Sequence, residues 1–179
     1  NGRDVQCVVC PNRCYLTPGD RSVCRSKVNI GGKLFSLAYG NPCAVHIDPI
    51  EKKPLSHFYP ATPVFSIAAA GCNFRCLNCQ NWEISQRKPE EIYHTELFPA
   101  EIVRITKEKN IPSIAYTYSE PISYYEYMYD TARLARQEGI NNVWVSNGYI
   151  NTKDIQETVL KGNGVDLPFH SYRRALFLA

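Results

Sequence analysis

At 179 residues and 44% hydrophobic side chains, the chain is long enough for one domain, or one domain with a small appendage, built on a real core. A net charge of +3 from 20 basic and 17 acidic residues, with no basic stripe, leaves no electrostatic footprint for nucleic acid. No apolar run reaches the roughly 18 residues that read as a membrane span, and no secretory signal opens the chain, which begins at Asn1 rather than Met. Eight cysteines fall into two tight sets plus the single Cys43, a metal pattern more than a bridge pattern. Thiols kept for metals imply a reducing compartment, so the cytoplasm is the expected location.

Residues 1–60 read as a Cys-rich and hairpin region. Cys7, Cys10, Cys14 and Cys24 are spaced C-x2-C-x3-C-x9-C among Pro11, Pro18 and Gly19, which break any periodicity and predict knuckles and turns. Such a loop-rich piece buries too little surface to hold itself together, and a bound metal would supply the constraint. Zinc held by all four thiolates is the first reading and a second iron–sulfur cluster the next; disulfides or free thiols are the third. Gly31-Gly32 followed by Lys33–Tyr39 predicts a hairpin. Cys43 reads as a small buried residue. His46–Pro60 mixes charge, proline and aromatics and reads as loop, with Glu51-Lys52-Lys53 a solvated run.

Residues 61–161 carry the regular pattern. The apolar run Val64–Ala70 predicts a buried strand, Phe98–Asn110 a helix with Pro99 at its first position, and Ile111–Tyr118 a second strand. Pro121–Glu138 predicts a second helix closed by Gly139, Asn142–Ser146 a third strand, and Thr152 caps a third helix to about Lys161. This alternation predicts βαβ units and a parallel sheet, an α/β fold. Cys72, Glu120 and Asn147 each follow the C-terminal end of a predicted strand, the edge where such sheets bind ligands.

The loop after the first of these strands carries Cys72, Cys76 and Cys79 at C-x3-C-x2-C, with no fourth cysteine close behind. Three soft thiolates on one short loop suit an iron–sulfur cluster or zinc. On a four-iron cubane they leave one iron open, the mark of a reactive centre rather than a structural one.

This loop resembles the signature of radical S-adenosylmethionine (SAM) enzymes. The longer strings Asp48–Leu55, Gly71–Cys76, Cys79–Ser85, Ala115–Pro121 and Ser146–Tyr149 look like the AmmeMemoRadiSam-system radical SAM enzymes, relatives of the pyruvate formate-lyase activating enzymes, from about Cys7 to about Leu160. The resemblance implies a partial (β/α) TIM-like barrel and a [4Fe-4S] cluster on Cys72, Cys76 and Cys79. It also implies reductive cleavage of SAM to a 5′-deoxyadenosyl radical that abstracts hydrogen from an unknown protein or small-molecule substrate. An electron donor such as flavodoxin or ferredoxin would be a partner, and an anaerobic or microaerobic source is expected.

Glu120, where relatives place Gly-Gly-Glu, would accept from the SAM ammonium; as plain structure it is a helix first-turn acid. Thr117 and Ser119 would add hydrogen bonds, Asn147 would contact ribose or carboxylate, and Trp82 would stack on adenine, cover the cluster or simply be core. The family has an aromatic just before the last cysteine where this chain has Asn78. The family's barrel has more βα units than the three legible here, so the chain is expected to be truncated or altered near Gly162, with residues 162–179 an atypical tail and activity incomplete. The competing reading is a non-catalytic iron–sulfur or zinc protein that transfers electrons or holds structure.

Overall fold

The computed structural model describes residues 3–151. The expected third helix from Thr152 and the tail 162–179 lie outside the described residues. The chain opens with two short antiparallel ladders. In the first, β1 (Val5–Gln6) pairs with β2 (Tyr15–Leu16). In the second, β3 (Lys27–Ile30) pairs with β4 (Lys33–Ser36) across Gly31-Gly32. Both glycines have positive φ, +61° and +93°, which is what a tight hairpin of this twist demands of its two central residues.

The main sheet has the order β5-β6-β7-β8: Pro42–Pro49, Pro63–Ala69, Ser113–Tyr116 and Asn141–Trp144. The last three are parallel, as the alternation predicts; β5 runs antiparallel to β6. The reading of His46–Pro60 as loop is corrected here. Pro42 and Pro49 at the ends of β5 hide a strand that can exist because it is an edge strand, where a missing N–H is tolerated. Cys43 falls at a register shift between Pro42 and Ala44 and is only part-buried. Because β5 pairs with β6 from Pro42↔Ala69 to Pro49↔Pro63, the sheet crosses the expected division at residue 60.

Short helix α1 (Trp82–Ser85) follows the cysteine loop, and α2 (Pro99–Glu108) and α3 (Tyr125–Gln137) cover one sheet face. Ile102, Val103, Tyr127, Met128 and Ala135 pack there with Ile67, Ile114 and Tyr116. The other face carries a smaller cluster of Ile50, Leu55, Val64, Ala115 and Val143. The expected helix from Pro121 is in fact two pieces, a 3-10 turn over Pro121–Tyr124 and then α3. Glu120 explains the first turn: its carboxylate accepts from the Ile122 N–H at 3.0 Å, satisfying a donor that Pro121 cannot replace. Among the described residues no helix is long and apolar enough to cross a membrane.

Candidate active site

The C-terminal ends of β6, β7 and β8 open on one cavity of about 670 Å³. From β6, the chain turns at Gly71 into the cysteine loop, and Cys72, Cys76 and Cys79 all line the cavity as free thiols. Gly71 has φ +103°, and a Cβ there would stand 2.3 Å from the Cys24 carbonyl oxygen. Only glycine fits, because the loop is pressed against the N-terminal cysteine module. The Phe74 N–H donates to the Cys72 sulfur at 3.3 Å, and Ser85 Oγ lies 3.2 Å from the Cys79 sulfur. Burial pushes the Cys72 thiol up to about 12; a coordinated cation reverses that cost, since a metal-bound thiol gives up its proton.

From β7, Glu120 reaches the same cavity, 4% exposed. Besides Ile122, its carboxylate accepts from Ser146 Oγ at 2.8 Å and from the Asn147 N–H at 2.8 Å, so it ties the loops after β7 and β8 together. Burial is the largest influence and raises its pKa to about 7, against the opposing pull of those three donors. Asn147 then extends the chain of contacts to the cysteine loop, its Nδ2 donating to Asn73 Oδ1 at 2.9 Å. Thr117 and Ser119 line the cavity, with the Ser119 hydroxyl donating to the Ala69 carbonyl at 2.6 Å.

Trp82 stands elsewhere. It is 54% exposed at the start of α1 and does not line the cavity. Among the described residues, the aromatics that line it are Phe74, whose ring lies 5.0 Å from that of Tyr149, and Tyr118.

Sequence reasoning missed Lys52 and Lys53, which also line the cavity. Lys53, which reads in the sequence as part of a solvated run, is buried, and its Nζ donates to Asp48 Oδ2 at 2.6 Å while lying 4.3 Å from the Tyr118 ring centroid. Lys52 donates to the other oxygen of Asp48 at 2.8 Å, and the Tyr118 hydroxyl donates to Oδ2. Burial alone would raise the Asp48 carboxyl, but donation from Lys52, Lys53 and Tyr118 outweighs it and holds the group well below the usual carboxylate range. Burial lowers Lys53, with Asp48 pulling the other way. Tyr118 takes φ +63°, a conformation that costs a non-glycine residue about 1 kcal/mol or more. Only the string Asp48–Leu55 hinted at this group.

A family model, that of the radical SAM superfamily, matches residues 66–176, which is more than half of the chain. The chain belongs to the radical SAM superfamily. Among its relatives is the uncharacterized protein MJ0808 of Methanocaldococcus jannaschii, 48% identical over 163 residues, 91% of this chain and 49% of the relative. A second, the uncharacterized protein MJ0674 of the same organism, is 27% identical over 162 residues, 87% of this chain and 42% of the relative. The chain therefore spans about half the length, or less, of the curated relatives it matches.

Members of this superfamily generally use a [4Fe-4S] cluster and SAM, and the donor set here fits that chemistry. It offers three free thiols on one loop and an N–H already directed at one sulfur, beside a buried carboxylate on the same cavity. Among the described residues no three His, Cys, Asp or Glu side chains are gathered tightly enough to hold a metal ion.

Proposed function

We propose that this radical SAM protein binds a [4Fe-4S] cluster through Cys72, Cys76 and Cys79 and cleaves SAM reductively, in the manner of the AmmeMemoRadiSam and activating-enzyme relatives. The carrying observation is the position of Glu120: a buried carboxylate on the wall of the cavity that the three cysteines also line. When bound, the cluster supplies the electron that splits the SAM sulfonium into methionine and a 5′-deoxyadenosyl radical, which takes a hydrogen atom from the substrate.

The residues divide the remaining work. Glu120 accepts hydrogen bonds from the SAM ammonium, a charge-assisted contact of roughly 1.5–3 kcal/mol. Ser146 and Asn147 hold that carboxylate in place, and Asn147 links it to Asn73 in the cysteine loop. Thr117 and Ser119 give the lining of the pocket polar groups, and Phe74 supplies an apolar ring in the cysteine loop. Lys53 and Tyr118 also line the cavity, and both donate to Asp48, so this part of the lining is polar but internally paired. The substrate, a protein or a small molecule, and a flavodoxin- or ferredoxin-type donor complete the reading, which also assigns the protein to a reducing cytoplasm.

Anaerobic reconstitution with iron and sulfide, then reduction in the presence of SAM, tests it. The expected result is release of 5′-deoxyadenosine that disappears in Cys76→Ala. A brown protein that never cleaves SAM, in this chain and in one extended to the length of its relatives, would sink the proposal in favour of an electron-transfer or structural iron–sulfur protein.

A further inference from the structure

Two groups of side chains take no part in the chemistry above. Cys7, Cys10, Cys14 and Cys24 are free thiols, and no three of them stand where they would hold a metal ion. The other group is the lysine pair on the cavity that Glu120 and the cysteines of the cluster loop also line. Lys52 ends a 3-10 turn, Ile50–Lys52, that follows β5, and the Lys53 N–H closes it on the Ile50 carbonyl at 2.9 Å. Ile50 is fully buried and donates to the Thr62 carbonyl at 3.0 Å, so the turn is anchored by its first residue.

Asp48 cannot match both lysines. Its Oδ1 takes Lys52, and its Oδ2 takes Lys53 and the Tyr118 hydroxyl, so one carboxylate stands against two ammonium groups with both its oxygens engaged. An ammonium has three N–H groups to give. Lys53 gives one to Asp48 and lies 4.3 Å from the Tyr118 ring centroid. Lys52 gives one to Asp48, and its side chain is 56% exposed. The pair therefore brings one uncompensated positive charge to the cavity. Glu120, the one acid among the described lining residues, is already held by Ile122, Ser146 and Asn147. Charges withdrawn from water are stable where they are matched, and the group that would complete the match at this pair is an anion.

Backbone strain marks the same place. Tyr118 keeps φ +63° while its hydroxyl is tied to Asp48 and its carbonyl accepts from Asn81 Nδ2 at 2.8 Å. Strain of this kind persists where the surroundings over-determine it, as they do in preorganised sites.

We propose that Lys52 is the contact of an oxyanion subsite in the cavity, with Lys53 neutralising Asp48, and that the substrate yielding the hydrogen atom carries a carboxylate or phosphate that docks there. The subsite stands on the charges alone; the substrate class rests on the radical SAM reading, in which Glu120 takes the SAM ammonium. Lys53 is the positioning residue: while it occupies Asp48, the Lys52 charge is left over for the ligand. The Lys52 ammonium then gives the oxyanion a charge-assisted hydrogen bond without losing Asp48.

Limited acetylation of the purified full chain, mapped by mass spectrometry at matched ionic strength, tests the subsite without SAM. Inorganic phosphate in place of chloride should slow the labelling of Lys52 severalfold and leave Lys107, paired with Glu138, unchanged. Lys53→Met should abolish that protection, because Asp48 then cancels Lys52, and adding Asp48→Asn should restore it. Lys52 labelling that ignores phosphate, equal protection of Lys107, or protection that survives Lys53→Met would each overturn the subsite. So would a double variant, folded by circular dichroism, that does not regain protection. SAM is the other source of an oxyanion. Equilibrium binding of SAM to the reconstituted protein should be unchanged in Lys52→Met; a loss of about tenfold or more would give the lysine to the SAM carboxylate and overturn the substrate assignment. Phosphate protection in a chain that releases no 5′-deoxyadenosine would sink the radical SAM reading, and the substrate class with it, while the subsite stands.

Discussion

At the scale of single residues, Glu120 has one role seen in the structure and one proposed, and their demands differ. As a cap and loop tie it accepts three donors; in the proposed SAM contact it must be ionised in a buried place. Its pKa near 7 against an ordinary 4.5 means that the folded state takes up a proton more readily than the unfolded chain. Stability therefore falls as pH rises from about 4.5 to about 7 and is flat above, with a slope of at most about 1.4 kcal/mol per pH unit between those limits. Glu120→Gln should flatten this slope, read as the pH dependence of the urea midpoint in cluster-free protein. The same substitution should weaken SAM affinity by roughly tenfold to a hundredfold, the equivalent of the lost charge-assisted contact, measured by equilibrium binding to reconstituted protein.

Asp48 works in the opposite sense. Its carboxyl is held low, so its contribution is present at neutral pH and is lost as pH falls below the ordinary carboxylate range. Asp48→Asn leaves the Lys53 ammonium buried without its counter-charge and should cost about 3–5 kcal/mol in urea denaturation. Asp48→Asn combined with Lys53→Met should recover much of that loss, because no uncompensated charge then remains inside. Equal instability of the single and double variants would show that the pair matters for shape rather than charge.

At the scale of elements, the contact between two loops decides the position of the cysteines. Gly71→Ala meets both a positive φ and a backbone carbonyl that cannot step aside, whereas Gly19, at φ +93°, has open space round its missing Cβ. Gly19→Ala should thus cost about 1 kcal/mol from backbone strain alone. Gly71→Ala should cost clearly more, and should also broaden the electron paramagnetic resonance signal of the reduced cluster, since the loop must move to make room. Equal losses in stability for the two variants would argue that the N-terminal module does not press on the cluster loop. The sheet edge offers a parallel case: β5 carries proline at both ends, yet holds Asp48 in register opposite Val64, and so aims the one carboxylate that pairs both lysines.

At the scale of the whole molecule, the described residues build a four-stranded main sheet beside two short ladders, with α2 and α3 on one face of the main sheet and a cavity at the C-terminal ends of its parallel strands. Ligands that bind only the folded protein stabilise it by mass action. SAM added to anaerobically reconstituted protein should raise the melting temperature, and should leave that of C72A/C76A/C79A unchanged. A similar rise in the triple variant would place SAM somewhere other than beside the cysteines.

Much of this was legible in the residues. Period and punctuation placed β6, β7 and β8 and helices α2 and α3 to within a few positions, because each is a local pattern: an apolar run, a proline at a helix start, a glycine after a helix end. The spacing of Cys72, Cys76 and Cys79 puts three thiols on one short loop, and all three line the cavity. What the chain order could not contain was distance across the sheet. Lys53 looks like surface until Asp48 and the Tyr118 ring, 65 residues further along the chain, close over it. Trp82 reads in the sequence as stacking on adenine, covering the cluster or simply core, but α1 leaves it exposed outside the cavity, and the aromatics that line it are Phe74 and Tyr118. Local propensity is carried by neighbours in sequence, whereas burial and charge pairing are settled by whichever residues the packed sheet brings together.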